Sequence, residues 1–229
     1  MSERHISSDY DRALEELRQK ILQMGGLVEE HLTEAMKALV QRDVALAKSL
    51  MHQDHPVNRL EMEVDDRAMR LLALRQPAAR DLRFITMSLK ISTDLERIGD
   101  QCVSIALRAL ELQAEPPLKP YIDLPRMALL AQTMVKESLD AFVAHDVVLA
   151  QRVLERDEEV DQLNDQHFRE LLTFMIEDPR TIGRAMRLMF VAKSLERIAD
   201  HATNIAEEVI FMVKGEDIRH GKAMPEGKG

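Results

Sequence analysis

The sequence predicts an all-α protein, a tandem repeat of two three-helix bundles with six long helices and a pseudo-two-fold relation, and three observations carry that reading. Helix-breaking residues are confined: of eight glycines only Gly25, Gly26, Gly99 and Gly183 precede residue 215, and four of eight prolines (Pro116, Pro117, Pro120, Pro125) cluster mid-chain. The long segments between them are rich in Ala, Leu, Met, Glu, Arg and Gln, strong helix formers, with no period-2 run bounded by turn residues. The two halves also repeat. At a shift of 103, Ala38–Leu60 matches Ala141–Leu163 at nine of 23 positions; at a shift of 100, Leu95–Ala106 matches Leu195–Ala206 at seven of 12.

The elements follow in order. A first helix is expected from about Ser8, with Ser8 or Asp9 as its cap, to Gln41, softened at Gly25-Gly26. Asp43 caps a second helix to about Arg75, and Pro77 suits the first turn of a third that reaches Leu112. Asp123 opens a fourth to Ala144, Asp146 caps a fifth to about Ile176, and Asp178-Pro179 opens a sixth to about Lys214. The expected domains are therefore a first repeat over 9–113, a Pro-rich linker over 114–122, a second repeat over 123–214 and a flexible tail over 215–229. Short connections make successive helices antiparallel neighbours.

Composition excludes several functions. The 229 residues are 45% hydrophobic and 31% charged, a globular balance with enough apolar residues for a core. Thirty-one Lys and Arg against 40 Asp and Glu leave a net charge of −9, the wrong sign for a phosphate-backbone binder. With no Trp, 2 Tyr and 6 Phe there is little to stack on bases, so no nucleic acid is expected as a partner. Cys102, the lone cysteine, rules out an intramolecular disulfide and a Cys-based zinc site and reads as a small core residue. The longest charge-free run, Met127–Val135, is nine residues, far below the ~18–20 of a membrane span. A cytoplasmic protein is expected, touching a membrane only through partners.

The repeated segment carries the chemistry. Apolar positions at Leu95, Ile98, Cys102 and Ile105, and at Leu195, Ile198, Ala202 and Ile205, face the bundle interior. Beside that stripe, Glu96/Asp100 and Glu196/Asp200 are i, i+4 pairs that project from one helix face. Like charges at that spacing repel by about a few tenths of a kcal/mol, and a hard cation between them reverses the sign. Asn204 continues the face one turn on, where the first half has Ser104, and His201 adds a nitrogen in the second half only. The same spacing at Glu61–Asp65, Asp157–Asp161 and Asp161–Asp165 reads as solvated surface, and salt bridges to Arg97 and Arg197 are the plain alternative for the repeated pairs. No His follows a Glu by three residues, no H-x-x-x-H occurs, and no Gly-rich phosphate loop or nucleophile elbow is present. The 14 methionines read as core filler and adaptable contact surface.

A tandem of three-helix units, each bearing Leu-Glu-Arg-Ile-x-Asp on its last helix, resembles the PhoU family of phosphate-uptake regulators. The resemblance covers about Asp9 to Val213. It rests on Leu71–Pro77, Asp81-Leu82-Arg83, Thr93–Asp100 and Ser194–Glu208, in order. It implies a cytoplasmic, usually dimeric, non-enzymatic negative regulator of the phosphate-starvation response. Its implied partners are the ATP-binding subunit of a phosphate transporter and a phosphate-sensing histidine kinase. It further implies metal ions (Fe, Mn, Mg or Zn) on Glu96, Asp100, Glu196 and Asp200, with Asp94, His201 and Asn204 as extra ligands. This chain departs from the family pattern at Ser104 and at Ser194, the latter standing where the first repeat has Asp94. The rival from another class is a carboxylate-bridged metal-cluster bundle with a redox or storage role, against which the missing Glu-x-x-His spacing argues.

Overall fold

The computed structural model describes residues 2–51 and 54–216. The first repeat contains α1 (Ser2–Gln41), α2 (Val44–Leu50), α3 (Asp54–Leu74) and α4 (Ala79–Leu112). The second contains α5 (Asp123–Ala144), α6 (Val147–Glu177), a single 3-10 turn over Pro179–Thr181, and α7 (Ile182–Lys214). No strand occurs among the described residues.

The turns between the first two helices of each repeat are built alike. Arg42 (φ 57°) and His145 (φ 55°), 103 positions apart, take the left-handed conformation, and the next residue is an aspartate that caps the following helix. Asp43 accepts from the Leu46 N–H at 2.9 Å; Asp146 accepts from those of Val148 and Leu149 at 2.9 and 3.0 Å. Asp178 likewise accepts from the Arg180 N–H at 3.0 Å, so the expected cap and proline open the last helix through a tight turn. Gly215 (φ 76°) closes α7.

Four expectations need correction. The second helix is not continuous from Asp43 to Arg75 but divides into α2 and α3, around Pro56 in the first turn of α3. Proline has no N–H to give to the preceding turn and its ring clashes there, whereas the matching Glu159 lets α6 run unbroken. Pro77 precedes α4 and is not part of its first turn: Ala78, extended at ψ 161°, is the cap position. Helix α1 already runs through Ser8 and Asp9, the expected cap, and stays unbroken at Gly25-Gly26. Of the expected tail, residues 217–229 lie outside the described residues.

The central pair is α4 and α7, which lie antiparallel along one another. Lys90 reaches Glu208 (3.3 Å), Asn204 reaches Asp94 (3.1 Å), Ser194 reaches Ser104 (3.4 Å) and Arg187 reaches Glu111 (3.2 Å), a register centred on Gly99 and Ala199. Around this pair the buried stripes of α1, α3, α5 and α6 close one continuous core that includes Leu17, Ile21, Ile91, Leu95, Phe142, Val160 and Leu195. Phe84 stacks on Phe142 across the two repeats (centroids 5.6 Å apart), and Gly25 lets α1 approach Leu139 of α5. Cys102 is fully buried, as a core residue should be, and burial pushes its thiol far above the usual range.

Candidate functional site

The second repeat holds the denser acidic face. Asp157 and Asp161 on α6 face Glu196 and Asp200 on α7 across the groove between the helices. Asp157 is pushed up to about 6, by burial first and then by the charges of Asp161, Asp200 and Glu196. Burial and Glu196 also raise Asp161 and Asp200. One oxygen of Asp157, Oδ1, is buried without a hydrogen-bond partner among the described residues. The cation at hand is Lys193, one turn before Glu196 (Nζ–Oε1 2.6 Å), with its side chain half exposed. Four carboxylates with one flexible ammonium make this groove strongly acidic, but among the described residues no three of their oxygens come within 4.8 Å of one another, so a shared cation would have to draw the side chains together.

The first repeat is built more sparsely. Glu96 and Asp100 on α4 face Glu61 of α3, whose Oε1 accepts from Thr93 at 3.3 Å. Burial raises Glu96, helped by Asp100 and Glu61 and opposed by Arg97 and His201; burial also raises Glu61. Arg97 lies over this face at 3.5 Å from Glu96 and 3.7 Å from Asp100, the salt-bridge alternative in a loose form. Arg197 makes no such pair among the described residues. One acid is missing here by sequence: at the shift of 103, Asn58 holds the place of Asp161.

Asp94, His201 and Asn204 converge at the α4–α7 crossing. The His201 Nδ1 lies 2.8 Å from Asp94 Oδ1, and Asn204 Nδ2 donates to the same oxygen at 3.1 Å. The geometry ties the repeats together and directs both α7 side chains to Asp94. At the symmetry-related crossing, Ser194 replaces Asp94 and Ser104 replaces Asn204, and the two hydroxyls meet at 3.4 Å. The two departures noted in the sequence are thus one exchanged pair.

Sequence reasoning discounted Asp157–Asp161 and Glu61–Asp65 as solvated, yet Asp157, Asp161 and Glu61 supply the facing halves of the two acidic grooves. It also missed a cluster of Asp123, His167 and Glu170, whose ligand-type atoms lie within 4.8 Å of one another. There the Lys119 ammonium pairs with Asp123 (2.9 Å) and Glu170, so a cation of the chain itself fills the position.

Two unequal acidic grooves on a duplicated three-helix unit define a tandem helical-bundle protein whose repeats each present a carboxylate face. The PhoU domain matches residues 21–109 and 124–209, one copy in each repeat. The phosphate-specific transport system accessory protein PhoU homolog of Pseudomonas aeruginosa is 44% identical over 218 residues, 94% of this chain and 90% of the relative. The phosphate-specific transport system accessory protein PhoU of Escherichia coli is 37% identical over 217 residues, 95% of this chain and 90% of the relative. The crystal structure of PhoU from Pseudomonas aeruginosa superposes with a TM-score of 0.87 at 42% identity, over 90% of this chain and all of that one. That of the phosphate transport system regulatory protein PhoU from Streptococcus pneumoniae gives 0.85 at 31% identity, over 91% and 98%. The chain belongs to the PhoU family. No helix among the described residues is long and apolar enough to cross a membrane.

Proposed function

We propose that this protein is the accessory regulator of a phosphate-specific transport system. It holds the phosphate-starvation response off, without catalysis, by linking the transporter's ATP-binding subunit to a phosphate-sensing histidine kinase at the cytoplasmic face of the membrane. The observation that carries the reading is the match of both repeats to the PhoU domain, in a chain 37–44% identical to relatives named as accessory proteins of such systems. The fold supports a binding role: Phe168, Leu172 and Ile176 form an exposed apolar stripe at i, i+4 and i+8 on α6. A homodimer is part of this proposal.

In the same reading Glu196 and Asp200, with Asp157 and Asp161, hold one metal site, and Glu96 and Asp100, with Glu61, hold a second. A bound iron, manganese, magnesium or zinc ion supplies positive charge that cancels the carboxylate repulsion. The chain's own residues set the spacing of the carboxylates across each groove, and the change in surface charge on loading tunes the grip on partners.

The test is a deletion strain grown in ample phosphate and carrying a starvation-response reporter. Derepression that this chain reverses supports the regulator, and a tagged pull-down that returns the ATP-binding subunit or the kinase names its contacts. A silent reporter in the deletion strain refutes it. Metal content of protein purified without chelator, compared with Glu196→Gln/Asp200→Asn, tests the metal sites; equal content in both refutes them.

A further inference from the structure

At both ends of the α4–α7 pair arginines meet the C-terminus of a helix, and the two ends differ in how that positive charge is neutralised. At the end near the linker, arginines gather around the C-terminus of α4. Arg42 donates to the carbonyls of Leu112, Gln113 and Glu115 at 3.2, 2.9 and 2.8 Å, and Arg184 donates to that of Pro116 at 3.1 Å. Acids neutralise the rest of the charge there: Glu111 takes Arg108 (2.7 Å) and Arg187 (3.2 Å), and Glu115 takes Arg184 (3.4 Å).

At the opposite end the C-terminus of α7 is again met by an arginine, Arg83, whose Nε donates to the Met212 carbonyl at 3.0 Å. The 100-residue register, however, puts Phe211 where Glu111 stood and Gly215 where Glu115 stood. The arginines here are not the counterparts of those at the linker end, and Glu111 and Glu115 have no acidic counterpart to neutralise them. Arg18, Arg80 and Arg83 line a cavity of about 420 Å³ with His145, Leu14, Phe84, Met212 and Val213. Asp81 is the carboxylate in the lining, and it accepts from Tyr10 at 3.3 Å. Arg18 stacks over Phe84 (5.4 Å), pairs with Glu15 through Nη1 (3.0 Å), and keeps a buried Nε without a partner among the described residues. Arg80 is exposed and has no carboxylate partner among them. Burial, then the charges of Arg18 and Arg80, hold the His145 imidazolium below its usual range, which registers the positive field of the cavity.

We infer that this cavity is a binding site for a phosphoryl oxyanion, taken as free inorganic phosphate, held by the guanidinium groups of Arg18, Arg80 and Arg83. Forked donors arriving from α1 and α4 beside the α5–α6 turn suit an acceptor with oxygens pointing in several directions, more than a carboxylate offers. The cavity exceeds what the bare ion fills, so a phosphate monoester is the second source of the same chemistry. The inference stands on the asymmetry between the two ends and not on the regulatory reading, which fails or holds by its own reporter.

The experiment is calorimetric titration of inorganic phosphate, and separately of phenyl phosphate, into the full-length protein at fixed ionic strength in chloride. Saturable one-site phosphate binding is expected. Arg80→Gln and Arg83→Gln should each weaken it about tenfold. Arg184→Gln at the neutralised end should leave it unchanged, with melting curves confirming that each variant folds. Arg80 is exposed and forms no ion pair among the described residues, so its variant keeps the test readable if Arg83→Gln loosens α7. Phosphate heats no different from those of added chloride, or wild-type affinity in Arg80→Gln, overturn the inference. Saturation by phenyl phosphate alone overturns free phosphate as the source.

Discussion

Asp157 carries the clearest electrostatic cost in the molecule. Its carboxyl titrates near 6 in the fold against the 3.8 of an unstrained aspartate, so in that window the folded chain holds a proton that the unfolded chain has released. The penalty is therefore full above pH 6 and relieved as pH falls towards 4. Asp157→Asn removes it, and metal-free protein should gain about 1–2 kcal/mol at pH 7.5, after allowing for solvent screening. The gain should vanish near pH 4 in paired denaturation curves. His167 works in the opposite direction. It is 1% exposed, and burial and then Lys119 lower its pKa below 6.5, so the neutral ring is favoured in the fold and stability is lost as pH falls below 6.5. His167→Leu should flatten that loss, so the difference between variant and wild type swings towards the variant from pH 7.5 to 5. The sequence pointed to Glu96, Asp100, Glu196 and Asp200 because recurrence in both halves marked them. It did not point to Asp157 or His167, because spacing along one helix says nothing about which helix lies opposite. Asp157 gains its meaning from residues some forty positions away.

Helices were legible because the signals that set them are local: Asp146 caps the helix it was expected to cap, Asp43 caps the shorter α2, and Asp178 caps the 3-10 turn that leads into α7. Breaks were less so. Pro56 sits in a stretch whose apolar spacing matches the unbroken α6, so periodicity outvoted the proline. The Gly25-Gly26 pair teaches the converse. It looked like a soft point, but helix α1 passes through it, and one of the two glycines has a packing reason. A Cβ on Gly25 would lie 2.3 Å from the Cδ1 of Leu139, which would have to shift within the core, while one on Gly26 would meet nothing within 4 Å. Gly26→Ala should stabilise by about 0.5–1 kcal/mol through helix propensity alone. Gly25→Ala should forfeit that gain or reverse it, and the two melting temperatures measured side by side decide the point.

Across the whole molecule the duplication was legible, and so was the identity of the two helices that bear it. Their antiparallel pairing was not, since no sequence identity reports which residue of α4 meets which of α7. That register makes a testable pair of the two crossings. Asp94→Ser strands His201 and Asn204 and should cost about 1–2 kcal/mol. Adding Asn204→Ser recreates the hydroxyl pair of the other crossing and should recover part of the loss, with a coupling of about 0.5–1 kcal/mol in a double-mutant cycle. Strict additivity would show that Asp94 and Asn204 do not couple across this crossing.

The unequal ends of the α4–α7 pair have a consequence for how the molecule meets anything else. A chain with a net charge of −9 is repelled as a whole by another acidic body. Arg80 and Arg83 at one end have no carboxylate partner among the described residues, whereas Arg184 and Arg187 at the other are paired with Glu115 and Glu111, so positive charge is compensated unequally at the two ends. An approaching anionic group meets the least opposition beside the α5–α6 turn, where those guanidinium groups line the cavity with His145. Added salt screens that net repulsion, so encounter rates with acidic partners should rise with salt while those with neutral ones stay level, and the unequal ends give the duplicated fold a front and a back that its internal symmetry alone would deny it.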